Sequence, residues 1–288
     1  VFIGLTLLGD LEQVSESMLA FNWKVFPLVL CFTLFNYTLR FFKWHYYLKL
    51  IGAVRIPWRL SLRMFVAGFP LAVTPGKVGE VLKGVWINRY SGIPTARGVS
   101  VVVAERISDG LAVLFLSTLG VIAYPRYWPA FLAVLLVLLF VIVVSQIRPL
   151  AFFFLNQLDR VRFLARFSHT LREFYEGSFT LFQPLPTAAA VILGMVSWFG
   201  EGVGFYLILT GLGLPAGLTT FSSAVFILAF STVVGAVSAL PGGLGAAEAS
   251  IAGLLALTAL ASPAQASAAT VLIRLATLWF GVFLGLAA

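Results

Sequence analysis

Five carboxylates and three cations set inside apolar sequence carry the chemistry of this chain. They are Glu80, Glu105, Asp109, Glu201 and Glu248, with Lys77, Arg106 and Arg274. One uncompensated charge at the centre of a bilayer costs at least about 2.5–3.5 kcal/mol. These eight groups must therefore pair with one another or line water. Glu80 stands 26 residues before Arg106, and Glu248 stands 26 before Arg274, so these are the candidate pairs. Glu105 and Asp109 are four apart and share a helix face, with Arg106 about 100° round. Lys77 and Lys83, near a helix start, suit an anionic headgroup as point charges. Ser231, Thr232 and Ser238 can add neutral hydrogen bonds or simply pack helices.

Two backbone breaks hold these groups. Thr74-Pro75-Gly76-Lys77-Val78-Gly79-Glu80 interrupts one apolar stretch, and Leu240-Pro241-Gly242-Gly243-Leu244-Gly245-Ala246-Ala247-Glu248 interrupts another. Proline ends a helix, and Gly76 and Gly79 permit backbone angles that other residues resist. Such breaks are tolerated at membrane depth only where the backbone is buried in protein or lines a wet cavity. Broken helices in corresponding places of two halves point to a transport site near the bilayer midplane.

The surrounding chain is a membrane protein by composition. Of 288 residues, 60% are hydrophobic and 10% charged, with mean hydropathy +1.01; a soluble domain carries about 25% charged residues. The one cysteine, Cys31, allows no internal disulfide and no thiolate metal cluster. His45 and His169 lie far apart in basic stretches and read as interfacial side chains. No metal motif, Ser-His pair or nucleotide loop is visible, so no metal site or cofactor is expected. The net charge of +8 is no nucleic-acid signal, because Lys and Arg gather on one side of the membrane.

The spans follow in order. Residues 1–8 read as the end of a helix whose start is missing, with no cleavable signal pattern; residues 10–24 read as a loop or short interfacial helix. Residues 25–50 form a span whose basic aromatic end, with Arg40, Lys43, Lys49, Arg55, Arg59 and Arg63, marks the cytoplasmic side. Residues 60–73 and 78–90 are too short to cross and read as a re-entrant hairpin turning at Pro75-Gly76. Residues 99–124 and 130–146 are spans joined by an external aromatic turn at 124–129. Residues 148–183 read as a basic amphipathic segment on the cytoplasmic leaflet. Residues 186–209 span outward. Residues 218–240 and 244–261 read as a second hairpin from outside, although 218–240 could span alone. Residues 265–288 form the last span. Fourteen of the 19 Lys and Arg fall in the segments assigned to the cytoplasm.

The fold class expected is an all-α polytopic membrane protein, one integral domain over residues 1–288. Its repeat units cover about 25–124 and 186–288. Each unit reads span, broken hairpin with a Glu, then span with an Arg. Three crossings separate the hairpins, which inverts the second unit.

At Pro75-Gly76-Lys77-Val78-Gly79-Glu80-Val81-Leu82-Lys83, Glu105-Arg106-Ile107-Ser108-Asp109 and Leu240 to Glu248 the chain resembles the lysylphosphatidylglycerol synthase transmembrane, or flippase-like, family. Arg40 with Trp44, Glu201 and Arg274 fit its lesser landmarks. The resemblance implies movement of a polar lipid between leaflets of a prokaryotic cytoplasmic membrane. The lipid class it leaves open is phospholipid, aminoacylated lipid, polyprenyl lipid or hopanoid. Bifunctional members carry a soluble aminoacyl-transferase domain that this sequence lacks, so lipid synthesis is not expected. On this reading Lys77, Glu80, Lys83, Glu105, Arg106, Asp109, Glu201, Glu248 and Arg274 bind substrate. Pro75, Gly76, Gly79, Pro241, Gly242, Gly243 and Gly245 serve as hinges. Two other functions stand beside it. One is an intramembrane lipid-modifying enzyme with Glu80, Glu105 or Asp109 as base. The other is a lipid-binding accessory subunit of a larger complex. The residues leave oligomeric state open.

Overall fold

Apolar runs with few interior prolines and glycines dictate helices throughout. The computed structural model describes residues 11–121, 128–160, 162–258 and 260–288, and the regular elements among them are all helical. A short helix, α1 (Leu11–Leu19), precedes the long α2 (Phe26–Leu50). Two ten-residue helices, α3 (Trp58–Ala67) and α4 (Leu82–Ser91), flank the first break. Gly92 at φ +79 ends α4 with a left-handed cap. Then come α5 (Thr95–Val121), α6 (Trp128–Gln146), α7 (Arg148–Arg160) and α8 (Arg162–Leu181). Next are α9 (Pro184–Gly211) and α10 (Leu218–Val237), followed by the second break and α11 (Ala246–Leu257). The chain finishes with α12 (Pro263–Arg274), five π-helical residues (Leu275–Trp279) and α13 (Phe280–Leu286). Ser262 and Gln265 start α12 reciprocally: Gln265 N–H donates to Ser262 Oγ at 3.2 Å, and Ser262 N–H donates to Gln265 Oε1 at 3.0 Å.

Four helices among the described residues are long and apolar enough to cross a membrane: Trp23–Leu50, Pro184–Gly211, Leu218–Val237 and Pro263–Leu286. The α6–α7 pair qualifies as a fifth, bent by 80°. This is an all-α polytopic membrane protein. At 27 residues α5 also has the length, but it carries the acidic and basic groups of the site. The expectations for residues 1–8 and for the external turn at 124–129 fall wholly or largely outside the described residues.

Among the described residues the two largest apolar clusters lie one toward each end of the long helices. Val29 of α2, Leu114 of α5 and Phe205 of α9 belong to one cluster; Phe41, Ala104 and Ala190 of the same three helices belong to the other. Between these points lie Arg40 on α2, Asp109 on α5 and Glu201 on α9. The polar groups therefore form a layer part-way along the bundle, where desolvation is strongest. Arg274 likewise stands at the middle of Pro263–Leu286.

The breaks differ from the sequence expectation in three ways. First, the first break is long. After α3 the chain makes 3₁₀ turns at Pro70–Val73 and Pro75–Val81 before α4 begins. Secondly, the two hairpins are unequal: α10 has 20 residues and α11 has 12, against ten each for α3 and α4. The first limb of the second break is thus a full-length helix. Thirdly, Gly79 is needed for room and not for its backbone angle. Thr74 Oγ1 accepts from Gly79 N–H at 2.8 Å, and a Cβ there would come within 2.7 Å of Thr74 Cγ2. Gly76 (φ +57) and Gly242 (φ +60) do adopt the left-handed region that favours glycine. The breaks touch each other: Gly76 N–H donates to the carbonyl of Ala239 at 2.9 Å. Ala239 itself has φ +53, a strained angle for a residue with a side chain.

The basic segment at 148–183 is two helices and not one. Helix α8 docks on α5, where Gly177 lies against Arg97 and Ser100, and Arg97 pairs with Glu173 at 2.7 Å. Helices α4 and α5 approach more closely still. A Cβ on Gly84 would stand 2.7 Å from Val99 Cγ2 and 2.9 Å from the Thr95 carbonyl. Gly84→Val must push the two backbones apart. It is expected to lower stability by about 1–3 kcal/mol, read by thermal unfolding of the purified protein; an unchanged transition would contradict the close packing.

Candidate functional site: a charged cavity at mid-helix

Each broken element delivers one carboxylate, and each following helix delivers the arginine that meets it. Arg274 Nε donates to Glu248 Oε1 at 2.7 Å, and its terminal nitrogen donates to the Gly242 carbonyl at 2.8 Å. Glu248 Oε2 accepts from Gly245 N–H at 2.7 Å, capping the start of α11. One arginine and one glutamate thus fasten the second break from both sides. The π-helical residues begin immediately after Arg274, and Tyr37 of α2 donates to the Thr277 carbonyl there at 2.6 Å. Such bulges accommodate inserted contacts and mark functional positions.

The corresponding arginine–glutamate contact at the first break is longer. Arg106 Nε lies 3.4 Å from Glu80 Oε2, beyond good hydrogen-bond geometry, and the Arg106 side chain keeps 29% of its surface accessible. The two pairs read from the sequence both form, one as a clamp and one as a loose contact.

The third carboxylate, Asp109, sits among cations. Lys43 donates to Oδ1 and Arg40 approaches Oδ2 at 3.3 Å. Lys43 is fully buried and also donates to Ser108 Oγ at 3.2 Å. Arg40 lies over the Trp198 ring at 5.7 Å. Glu105, also fully buried, faces Lys83 at 3.5 Å, and the Lys83 ammonium lies 5.1 Å from the centre of the Trp44 ring. Three cations assigned to the cytoplasmic face, Arg40, Lys43 and Lys83, therefore belong to the buried site. The physical reason is pairing: a carboxylate on α5 draws each one inward. Lys83 faces Glu105 and lies near two aromatic rings. The Lys77 side chain lies outside the described residues.

A cavity of about 370 Å³ opens beside these groups. Arg40, Glu80, Lys83, Arg106, Asp109, Glu201 and Arg274 line it, with Ser231 and Thr232 adding hydroxyls. Glu105 and Glu248 stand behind their cationic partners and are not among the lining residues. Of the neutral candidates, Ser231 donates to Ser250 Oγ at 3.0 Å, while Ser238 bonds its own helix. Val134, Leu138 and Leu278 supply apolar wall. Glu201 is buried, faces Arg40, Asp109 and Arg274 at a distance, and makes no hydrogen bond or ion pair among the described residues.

A sequence profile described as lysylphosphatidylglycerol synthase TM region matches residues 1–285. The chain belongs to that family. Two UPF0104 membrane proteins of Methanothermobacter thermautotrophicus are similar to it. One is 26% identical over 265 residues, covering 84% of this chain and 76% of the relative; the other is 28% identical over 239 residues, covering 73% and 68%. The lysylphosphatidylglycerol synthase TM family ties the chain to membrane lipids, and its match accords with the apolar spans. What sequence reading missed in this family member is Lys43 and the buried stretch around it. Asn36, Arg40, Lys43 and Tyr47 recur at helical spacing on one face of α2. That periodicity was a usable signal of a polar stripe turned inward.

Proposed function

We propose that this protein moves a lipid with a polar, phosphate-bearing headgroup between the leaflets of a prokaryotic cytoplasmic membrane. The observation that carries the reading is the charged cavity part-way along apolar helices, bounded by two broken elements. Its volume falls within the range of small-molecule sites, about 300–1,000 Å³, which suits a headgroup. Acyl chains would stay against the apolar wall near Val134, Leu138 and Leu278. The loosely held Arg106 is the cation best placed to greet the phosphate, because exchanging a weak contact with Glu80 for a charge-assisted bond costs little. The Gly76–Ala239 contact between the breaks acts as a backbone latch that re-forms or parts as access alternates.

Reconstitution into vesicles carrying a fluorescent, tail-labelled phosphatidylglycerol tests this. The wild type should expose inner-leaflet label to a membrane-impermeant quencher faster than protein-free vesicles do. Arg106→Gln should slow transfer at least tenfold; because Glu80 is buried it should also lower stability, by up to about 3–5 kcal/mol, and adding Glu80→Gln should regain stability while transfer stays low. Repeating the measurement with aminoacylated, polyprenyl-phosphate and hopanoid lipids identifies the cargo. Transfer at the protein-free rate for every lipid would overturn the proposal. Covalent change of a lipid on incubation would instead indicate an enzyme, and binding without transfer an accessory subunit.

A further inference from the structure

Among the described side chains, the buried charges balance only when Glu201 is counted. Among the described side chains, four carboxylates hold five cations: Asp109 with Arg40 and Lys43, Glu105 with Lys83, Glu80 with Arg106, and Glu248 with Arg274. The paired set therefore carries one excess positive charge. Glu201 is the fifth carboxylate, lies on the cavity wall, and has no partner of its own among the described residues. Ionised, it makes this described set neutral. Protonated, it leaves the set one positive charge higher, which one monoanion offsets. An unbalanced charge in this desolvated layer is costly either way.

Resting on the lipid-transport reading, we propose that Glu201 is a proton-binding site, and that a phosphodiester monoanion enters the cavity together with one proton taken up by Glu201. The proton adds to the carboxylate, the anion takes over the charge Glu201 had balanced, and the net charge of the layer is the same with and without cargo. The groups around Glu201 fit this exchange. Helix α2 presents Arg40 and Tyr37, α5 presents Asp109, and α12 presents Arg274. Helix α10 contributes only the hydroxyls of Ser231 and Thr232 to the cavity, and Trp198 is the neighbour on α9 itself. The short turn Trp23–Val25 also packs on α9 and carries Lys24, but it does so at the Gly211 end, where Asn22 N–H bonds the Gly211 carbonyl. Every titratable neighbour already has a partner, so Glu201 is the group left to change its charge. The same chemistry suits a lipid headgroup or a soluble phosphodiester, and the neutral net charge of a zwitterionic lipid calls for no proton.

The experiment measures proton uptake by purified protein in weakly buffered detergent solution with a pH-indicator dye. The additions are short-chain phosphatidylglycerol, short-chain phosphatidylethanolamine or glycerophosphoglycerol. Wild type should take up about one proton per phosphatidylglycerol and none per phosphatidylethanolamine. Its phosphatidylglycerol affinity should fall by about tenfold per pH unit above the titration of Glu201, as linkage of one proton requires. Glu201→Gln should bind phosphatidylglycerol with pH-independent affinity and no uptake. Uptake by the soluble headgroup at the same affinity assigns the ligand as a free phosphodiester; uptake with the lipid alone assigns a lipid. Uptake that persists in E201Q, or wild-type binding of phosphatidylglycerol without uptake, overturns the proposal. Infrared titration of ligand-free wild type supplies a readout independent of any cargo: a protonated-carboxyl band that shifts in Glu201→Asp and vanishes in E201Q supports the proton site, and the absence of such a band overturns it. Failure to bind any lipid, with that band present, strikes the transport reading and leaves the proton site standing.

Discussion

Replacing Asp109 with Asn lowers stability by about 3–5 kcal/mol, the range for removing one partner of a buried ion pair. The loss is expected because two cations depend on this carboxylate. Lys43 is wholly enclosed, and without Asp109 the Ser108 hydroxyl is its remaining hydrogen-bond partner among the described residues, with Glu105 farther off and Arg40 as a like-charged neighbour. An amide offers one acceptor oxygen in place of a full negative charge, so neither cation is compensated. The check is equilibrium unfolding in detergent, with a second variant to separate charge from packing. Asp109→Leu combined with Lys43→Met removes both charges and keeps volume; it should regain at least half of the lost stability, since apolar replacement of a buried pair is often neutral or better. An Asp109→Asn protein that unfolds like the wild type would show that the layer is hydrated well enough to carry an unpaired lysine.

Arg274→Leu acts on stability and on transport together. Glu248 is left buried with the Gly245 N–H as its remaining partner among the described residues, and the Gly242 carbonyl loses its Arg274 donor. The second break is then untied on the side that faces the cavity. Stability should again fall by about 3–5 kcal/mol, backbone amides over residues 238–246 should exchange with deuterium faster, and lipid transfer should drop at least tenfold. Glu248→Gln on the Arg274→Leu background should restore stability, because no buried charge then stands alone, and should leave transfer low. Restoration of both properties would mean that the pair does nothing beyond closing the break.

The distinction between these pairs and the loose Arg106–Glu80 contact has a physical basis. At the second break the carboxylate also caps a helix and the arginine also holds a carbonyl, so three bonds fix one geometry. At the first break the arginine approaches at 3.4 Å and stays partly accessible. A site that must bind and release cargo needs a group of the second kind, because a fully satisfied arginine gains little from a new anion.

The helical membrane class, the positions of both breaks, and the partnership of Glu80 with Arg106 and Glu248 with Arg274 were legible in the order of residues. Those properties follow from local composition, from Pro and Gly chemistry, and from one spacing repeated in two halves, all of which survive without knowledge of long-range packing. Long-range packing settled that Arg40, Lys43 and Lys83 turn inward, that Glu201 is the one of the five carboxylates at membrane depth without an ion pair among the described residues, and that Gly76 is bonded to Ala239 across the two breaks. A cation beside aromatic residues reads the same whether it faces headgroups or a carboxylate on another helix. The choice between them rests on which helix faces which, and the 66 residues between Lys43 and Asp109 hide that from any local pattern.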